Sequence, residues 1–167
     1  MQRDELLKFL TDITADRVAI LQRHEASARV VSHYDFNNTY QYVISREETH
    51  VQWLESALAE FDVGLPQAAT TYPTPDAPKG RNAEPSMFRD ILTEDANGLT
   101  SFVERWRPRV EAVTHARHRT MLGVILGESL EHARMFEQAA GGFEDVLGRR
   151  TSQAARVGAV LPTRWLE

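Results

Sequence analysis

Apolar residues recur at helical spacing along almost the whole chain, and no stretch sustains the apolar–polar alternation of a half-buried strand. That periodicity predicts an all-α fold. The first helical region runs from about Asp4 to Tyr34, with a break allowed near Thr11–Thr14; its inner stripe reads Leu10, Val18, Leu21, Glu25 and Ala28. The link Asp35, Phe36, Asn37 and Asn38 follows, with Asn38 and Gln41 spaced as a capping pair. The second helix, about Thr39–Asp62, shows Val43, Glu47, His50, Leu54, Leu58 and Phe61 on one face, and Gly64 and Pro66 stop it.

Five of the seven prolines (Pro66, Pro73, Pro75, Pro78 and Pro85) fall between residues 63 and 86, which predicts a long extended connection and no helix there. A third helix begins near Ser86 with Phe88, Ile91, Leu92, Asp95, Leu99, Phe102 and Trp106 inward, and Pro108 is expected to kink or end it. The fourth runs from about Thr114 to Ala140 with Met121, Ile125, Glu128, His132 and Met135 inward, ended by Gly141 and Gly142. This order predicts a four-helix bundle over residues 1–142, with one long crossover between the second and third helices. In the tail, 143–167, the apolar Val157, Val160, Leu161, Trp165 and Leu166 predict docking on the bundle or on a partner subunit, with a homodimer expected.

Composition narrows the chemistry. At 167 residues the chain fits one domain with a substantial core. A net charge of −5 argues against a nucleic-acid footprint; arginines cluster over Arg105–Arg119, but Glu104 and Glu111 lie among them. No run of about 18 apolar residues offers a membrane span. The first residues lack the apolar core of a secretory signal, and a cytoplasmic location is expected. With no cysteine, disulfides, zinc ribbons and iron–sulfur clusters are excluded. Carboxylates and the six histidines are then the main ligands open to a metal.

Acidic and imidazole side chains interrupt the inner stripes, where burial without a partner is costly. With the first turn centred near Phe36, Glu25 lies 11 residues before it and Glu47 lies 11 after, so the two sit level in an antiparallel hairpin. His50 is one turn beyond Glu47 on the same face. With the second turn near Val113, Asp95 is 18 residues before and His132 is 19 after, with Glu94, Glu128 and Glu131 close by. Two level clusters rich in carboxylate with a few imidazoles suit iron or manganese, and zinc less well. Glu104 and Glu111 read as an exposed face paired with Arg105, Arg107 and Arg109. His24 points away from Glu25, His33 and His115 lie near helix ends, and His118 sits turns away from Glu128. Tyr40 and Tyr42 flank the site, with packing as their expected role.

The segment Ser45-Arg-Glu-Glu-Thr-His-Val-Gln-Trp-Leu-Glu-Ser-Ala-Leu58 resembles the Asp-Glu-Glu-x-His-x-x-Trp-Leu-Glu segment of bacterioferritins, and Gly127-Glu-Ser-Leu-Glu-His-Ala-Arg-Met-Phe136 resembles the fourth helix of rubrerythrin-like proteins. The resemblance implies the ferritin-like superfamily over about residues 4–140, with Glu47 bridging two ions and His50 ligating one. Two departures stand out. Glu131 occupies the position where the family has His, with His132 displaced by one, so either completes the shell of the second ion. From the third helix, Asp95 sits better on the stripe while Glu94 has the family's residue type. The expected ligand set is therefore Glu25, Glu47, His50, Glu94 or Asp95, Glu128, and Glu131 or His132. It would hold two iron ions, or mixed iron and manganese, with zinc as a substitute.

By resemblance, the leading functional expectation is a rubrerythrin-like dinuclear protein acting on oxygen, peroxide or a small oxidisable substrate. Without a cysteine-ligated iron it would need an external electron donor. Iron storage in a cage is a second expectation. A third is a metal-free helical bundle serving as an interaction module, whose buried Glu and His residues pair with Arg29, Arg46 or Arg134.

Overall fold

The computed structural model describes residues 2–78 and 84–149, and within these it is all-helical with four long helices and no strand. Helix α1 spans Arg3–Val30, α2 Tyr34–Ala59, α3 Arg89–Glu111 and α4 Ala116–Ala140, with a single 3-10 turn, Pro85–Phe88, leading into α3. Glu5 closes the start of α1 by accepting from the Gln2 backbone N–H at 2.9 Å. The helix then runs through Thr11–Thr14 unbroken, because the Thr11 and Thr14 hydroxyls donate to carbonyls four residues back inside the helix.

The turn between α1 and α2 lies earlier than the periodicity suggests. Chain direction reverses over Val31–His33, and the expected link 35–38 is already helical. Asn37 is the physical reason: from the first turn of α2 its side-chain amide donates to the Ala28 and Val31 carbonyls at 2.7 and 2.9 Å. It thereby satisfies carbonyls that the end of α1 leaves open. At the other end of α2, Asp62 takes a left-handed conformation with φ 59°, and the Val63 N–H returns to the Leu58 carbonyl at 3.3 Å. Asp62 thus ends the helix ahead of Gly64, as a short polar side chain can. Pro108 lies in the last turn of α3 without ending it there; the helix continues to Glu111.

Each helix buries a stripe whose members alternate by three and four residues. On α1 it reads Leu10, Ile13, Arg17, Ile20, His24 and Ser27; on α2, Phe36, Tyr40, Val43, Glu47, His50 and Leu54. On α3 it reads Leu92, Asp95, Leu99, Phe102 and Trp106; on α4, Leu122, Ile125, Ser129, His132, Phe136 and Ala139. That 3.5-residue spacing is the seam of shallow-angle helix packing. Cross-links run antiparallel between α1 and α3, from Arg109–Asp12 through Arg105–Asp16 to Arg23–Asp95. They run antiparallel again between α2 and α4, from Arg117–Glu60 to His50–Glu128. The described part of the connection after α2 lies against α1, where the Ala69 N–H meets the Ala15 carbonyl at 2.9 Å and Arg23 donates to the Pro73 carbonyl at 3.0 Å.

No helix among the described residues is long and apolar enough to cross a membrane. Beyond α4, Phe143 is exposed and Val146 packs on the core. The expected docking residues Val157, Val160, Leu161, Trp165 and Leu166 lie outside the described residues.

An Asn37→Ala variant removes both closing hydrogen bonds at the α1–α2 turn. It is expected to lower the unfolding free energy by about 1–2 kcal/mol, which urea unfolding followed by circular dichroism measures.

Candidate functional site

Three carboxylates are buried among the described residues: Asp16, Glu47 and Asp95. Each accepts from one guanidinium and one aromatic-ring donor. Glu47 takes Arg17 Nη2 at 2.9 Å on Oε1 and His24 Nδ1 at 2.9 Å on Oε2. Asp95 takes Arg23 Nε at 2.8 Å and the Tyr40 hydroxyl at 2.5 Å. Asp16 takes Arg105 Nη1 at 2.8 Å and Trp106 Nε1 at 2.7 Å. Every buried negative charge thus has a positive charge from a different helix and a second, directional donor, as burial requires.

The Glu47 network lies deepest. Arg17 is completely buried, its guanidinium 5.3 Å from the Phe102 ring. Besides Glu47 it reaches Ser129 Oγ at 3.1 Å and His50 Nδ1 at 3.2 Å. A guanidinium only donates, so His50 Nδ1 accepts and neutral His50 carries its proton on Nε2. From there it donates to Glu128 Oε2 at 2.9 Å. Glu128 is half-buried and is also gripped by Arg46, whose Nη2 lies 2.7 Å from Oε1. The chain of contacts therefore runs from His24 through Glu47, Arg17, His50 and Glu128 to Arg46, with two guanidinia balancing two carboxylates.

Electrostatics follow from burial and from Arg17. Desolvation alone would raise the Glu47 pKa, but His24 and Arg17 overcome it and hold the carboxyl at about 2. Desolvation, reinforced by Arg17, brings His50 down to about 4 against the opposing pull of Glu128. Desolvation is also the main cause for His132, likewise lowered to about 4. Both imidazoles are therefore neutral at neutral pH, with ring centroids 6.2 Å apart and planes 20° from parallel. His132 Nδ1 is buried with no hydrogen-bond partner.

Of the residues expected from the sequence, Glu47, His50, Glu128 and His132 come together between α2 and α4. The others do not join them. Glu25 is half-buried on the neighbouring stripe of α1, Glu131 is exposed and pairs with Arg134, and Glu94 is exposed and pairs with Arg23. Asp95 is buried but belongs to the Tyr40–Arg23 group. Moving the first turn from Phe36 to Val31–His33 carries the α1 partner of Glu47 toward the N-terminus, from Glu25 to Arg17. Arg17 and His24 were missed, though the three-and-four spacing Ile13, Arg17, Ile20, His24 marks them as core positions in the sequence itself. Arg105 pairs with Asp16 and Arg109 approaches Asp12 at 3.8 Å, so these arginines face α1 more than Glu104 or Glu111. His118 lies at the far end, buried, 3.4 Å from Glu60, with burial lowering its pKa.

A metal ion at the Glu47 group would need several free ligand atoms close together. Both Glu47 oxygens and both His50 nitrogens are already engaged, and the Arg17 charge lies among them. Among the described residues, His33, Asp35 and Glu144 form the one group whose three ligand atoms lie within 4.8 Å of one another. That group sits at the start of α2, where the helix dipole favours carboxylates without a cation. As arranged, the expected di-metal ligand set does not fit a metal pair. Comparison with family models, curated proteins and solved structures found no match for this chain.

The histidine shifts fix a pH window. Both folded pKa values lie below the unfolded value of 6.5, so the stability they contribute is complete above 6.5 and is lost as pH falls toward 4. Glu47 adds a separate loss between 4.5 and about 2. Each histidine accounts for about 3 kcal/mol over its window. Urea titrations between pH 7 and 4 are expected to show that fall, with a shallower slope in His132→Gln.

Proposed function

We propose that this chain is a metal-independent four-helix bundle serving as a protein-interaction module, with Arg17 supplying the cation that the polar core requires. The observation that carries this reading is the one-to-one matching of Glu47, Asp95 and Asp16 with Arg17, Arg23 and Arg105. A core neutralised in this way has no deficit of positive charge for a divalent ion to fill. A metal entering beside Arg17 would meet like charge at short range in a low-dielectric interior. The Arg46–Glu128 pair agrees with the same reading, since an arginine meets the site's half-buried carboxylate as well.

The ferritin-like arrangement with one long crossover belongs to this proposal. Because α1 is antiparallel to both α2 and α3, the connection from Ala59 must return along the bundle. The contacts of Ala69 with Ala15 and of Pro73 with Arg23 support that path.

A second reading, the dinuclear iron or iron–manganese protein with rubrerythrin-like redox activity, is favoured by the partnerless His132 Nδ1 and by two neutral imidazoles beside two carboxylates. It requires Arg17 to leave the cluster.

Elemental analysis of protein purified without chelator separates the two. The proposal expects no stoichiometric iron, manganese or zinc, and an unchanged Tm in EDTA; a stoichiometric metal lost together in Glu47→Ala and His50→Ala would overturn it. Arg17→Ala leaves Glu47 buried without its cation and is expected to cost about 3–5 kcal/mol. Arg17→Met combined with Glu47→Leu is expected to regain most of that in urea unfolding.

A further inference from the structure

The outward face of α4 contains two glycines that its own chain does not use. A Cβ added at Gly123 or Gly127 would meet nothing within 4 Å. Glycine inside a helix is less favourable than alanine by about 1 kcal/mol, so two of them on an open face are a cost with no return inside this chain. The face they share is exposed and mixed, with Val124 between the charged Arg117 and Glu131. Thr120, Val124 and Gly127 follow one another at three-and-four spacing, and Val124 is 42% exposed. Between this face and α2 lies an open groove of about 690 Å³, with Trp53 on one wall and Met121 and Val124 on the other.

We propose that this face of α4 is the interface of a homodimer, in which α4 packs antiparallel against α4 of a second copy across a twofold axis at Val124. The charge pattern selects that occupant. A twofold at Val124 sets residues seven before it against residues seven after it. Arg117, paired with Glu60 in its own chain, then faces Glu131 of the second copy, itself paired with Arg134, and the reverse, all at exposed positions that a second copy can join into a wider ion-pair network. The same register sets Met121 against Gly127 of the second copy, an extended side chain over an open backbone, twice per dimer. The glycines let the helix axes approach, and the groove beside Trp53 widens the contact beyond a single helix pair. That widening matters, because stable interfaces bury roughly 1,200 Å² or more. An isologous interface requires this kind of self-complementarity, residue against residue about one axis. The inference names a partner for the interaction role proposed above and rests on that reading. Metal content tests the earlier proposal and association tests this one, so their failures are distinguishable.

Sedimentation equilibrium on the full chain gives the test. Wild type is expected to be a dimer, while Arg117→Glu and Glu131→Arg each weaken dimerisation about tenfold or more by setting like charges opposite one another. Circular dichroism checks that both variants keep wild-type helicity; the substitutions lie on the surface. Mixing the two variants restores opposite charges at both positions and is expected to recover a heterodimer by native mass spectrometry. A wild type that is monomeric throughout the concentration series overturns the proposal. Single variants that dimerise as well as wild type overturn it too, because they move the interface to another face. A mixture that fails to recover the dimer overturns the antiparallel register.

Discussion

The deepest polar network of the bundle is arranged around one buried guanidinium. Arg17 has no exposed surface, and a charge so placed is tolerable only where its partners are fixed in advance. Glu47 supplies the opposite charge from α2, Ser129 an acceptor from α4, and Phe102 an aromatic face from α3. One side chain of α1 thereby touches all three other helices. Two further residues of α1 extend the pattern, Asp16 toward Trp106 and Arg105, and Arg23 toward Asp95. Apolar stripes alone would let helices slide by a turn at small cost. Ion pairs with a second, directional donor do not, so they set the register in which α1 meets its neighbours.

The same guanidinium acts on His50. By donating to His50 Nδ1 it fixes the tautomer, and by its charge it helps keep His50 neutral. His50 in turn passes a hydrogen bond to Glu128, which Arg46 holds at the edge of the bundle. A cluster of Glu and His that looks metal-seeking when read as composition becomes, with Arg17 among its members, an internally neutralised network. The difference is one side chain on the helix that carries no Glu in the cluster.

The buried charges are paired, while a few interior atoms such as His132 Nδ1 have no partner; outside, the features without an internal explanation include several on α4. Helix-interior glycines, an exposed valine and a groove beside a tryptophan are costs to a solitary bundle. They cease to be costs if another surface covers them. On the proposed reading, interior and exterior divide the work, the first giving a stable scaffold and the second a surface for a partner.

Much of this was legible in the residues alone. The 3.6-like periodicity specified four helices, and the proline run after Phe61 and the glycines after Ala140 marked the ends of α2 and α4. The inward set Val43, Glu47, His50, Leu54 and Leu58 was readable because one face of α2 is apolar apart from those two residues. The stripes of α3 and α4 also placed Asp95 and His132 inward, and both are buried while Glu94 and Glu131 are exposed. The partner of Glu47 was beyond the periodicity. It depended on where α1 stops, and α1 stops at Val30 because Asn37 reaches back to cap it from the next helix. A local hydrogen-bonding choice at the turn moved the pairing of two helices by several residues. That shift replaced an expected acid, Glu25, with a base, Arg17. Sequence by itself determined the helices and the faces that α2, α3 and α4 bury, while the stripe expected for α1 through Leu21, Glu25 and Ala28 lies beside the buried one; only the tertiary structure decided which charges meet, because register between helices is set by turns and ion pairs that periodicity does not encode.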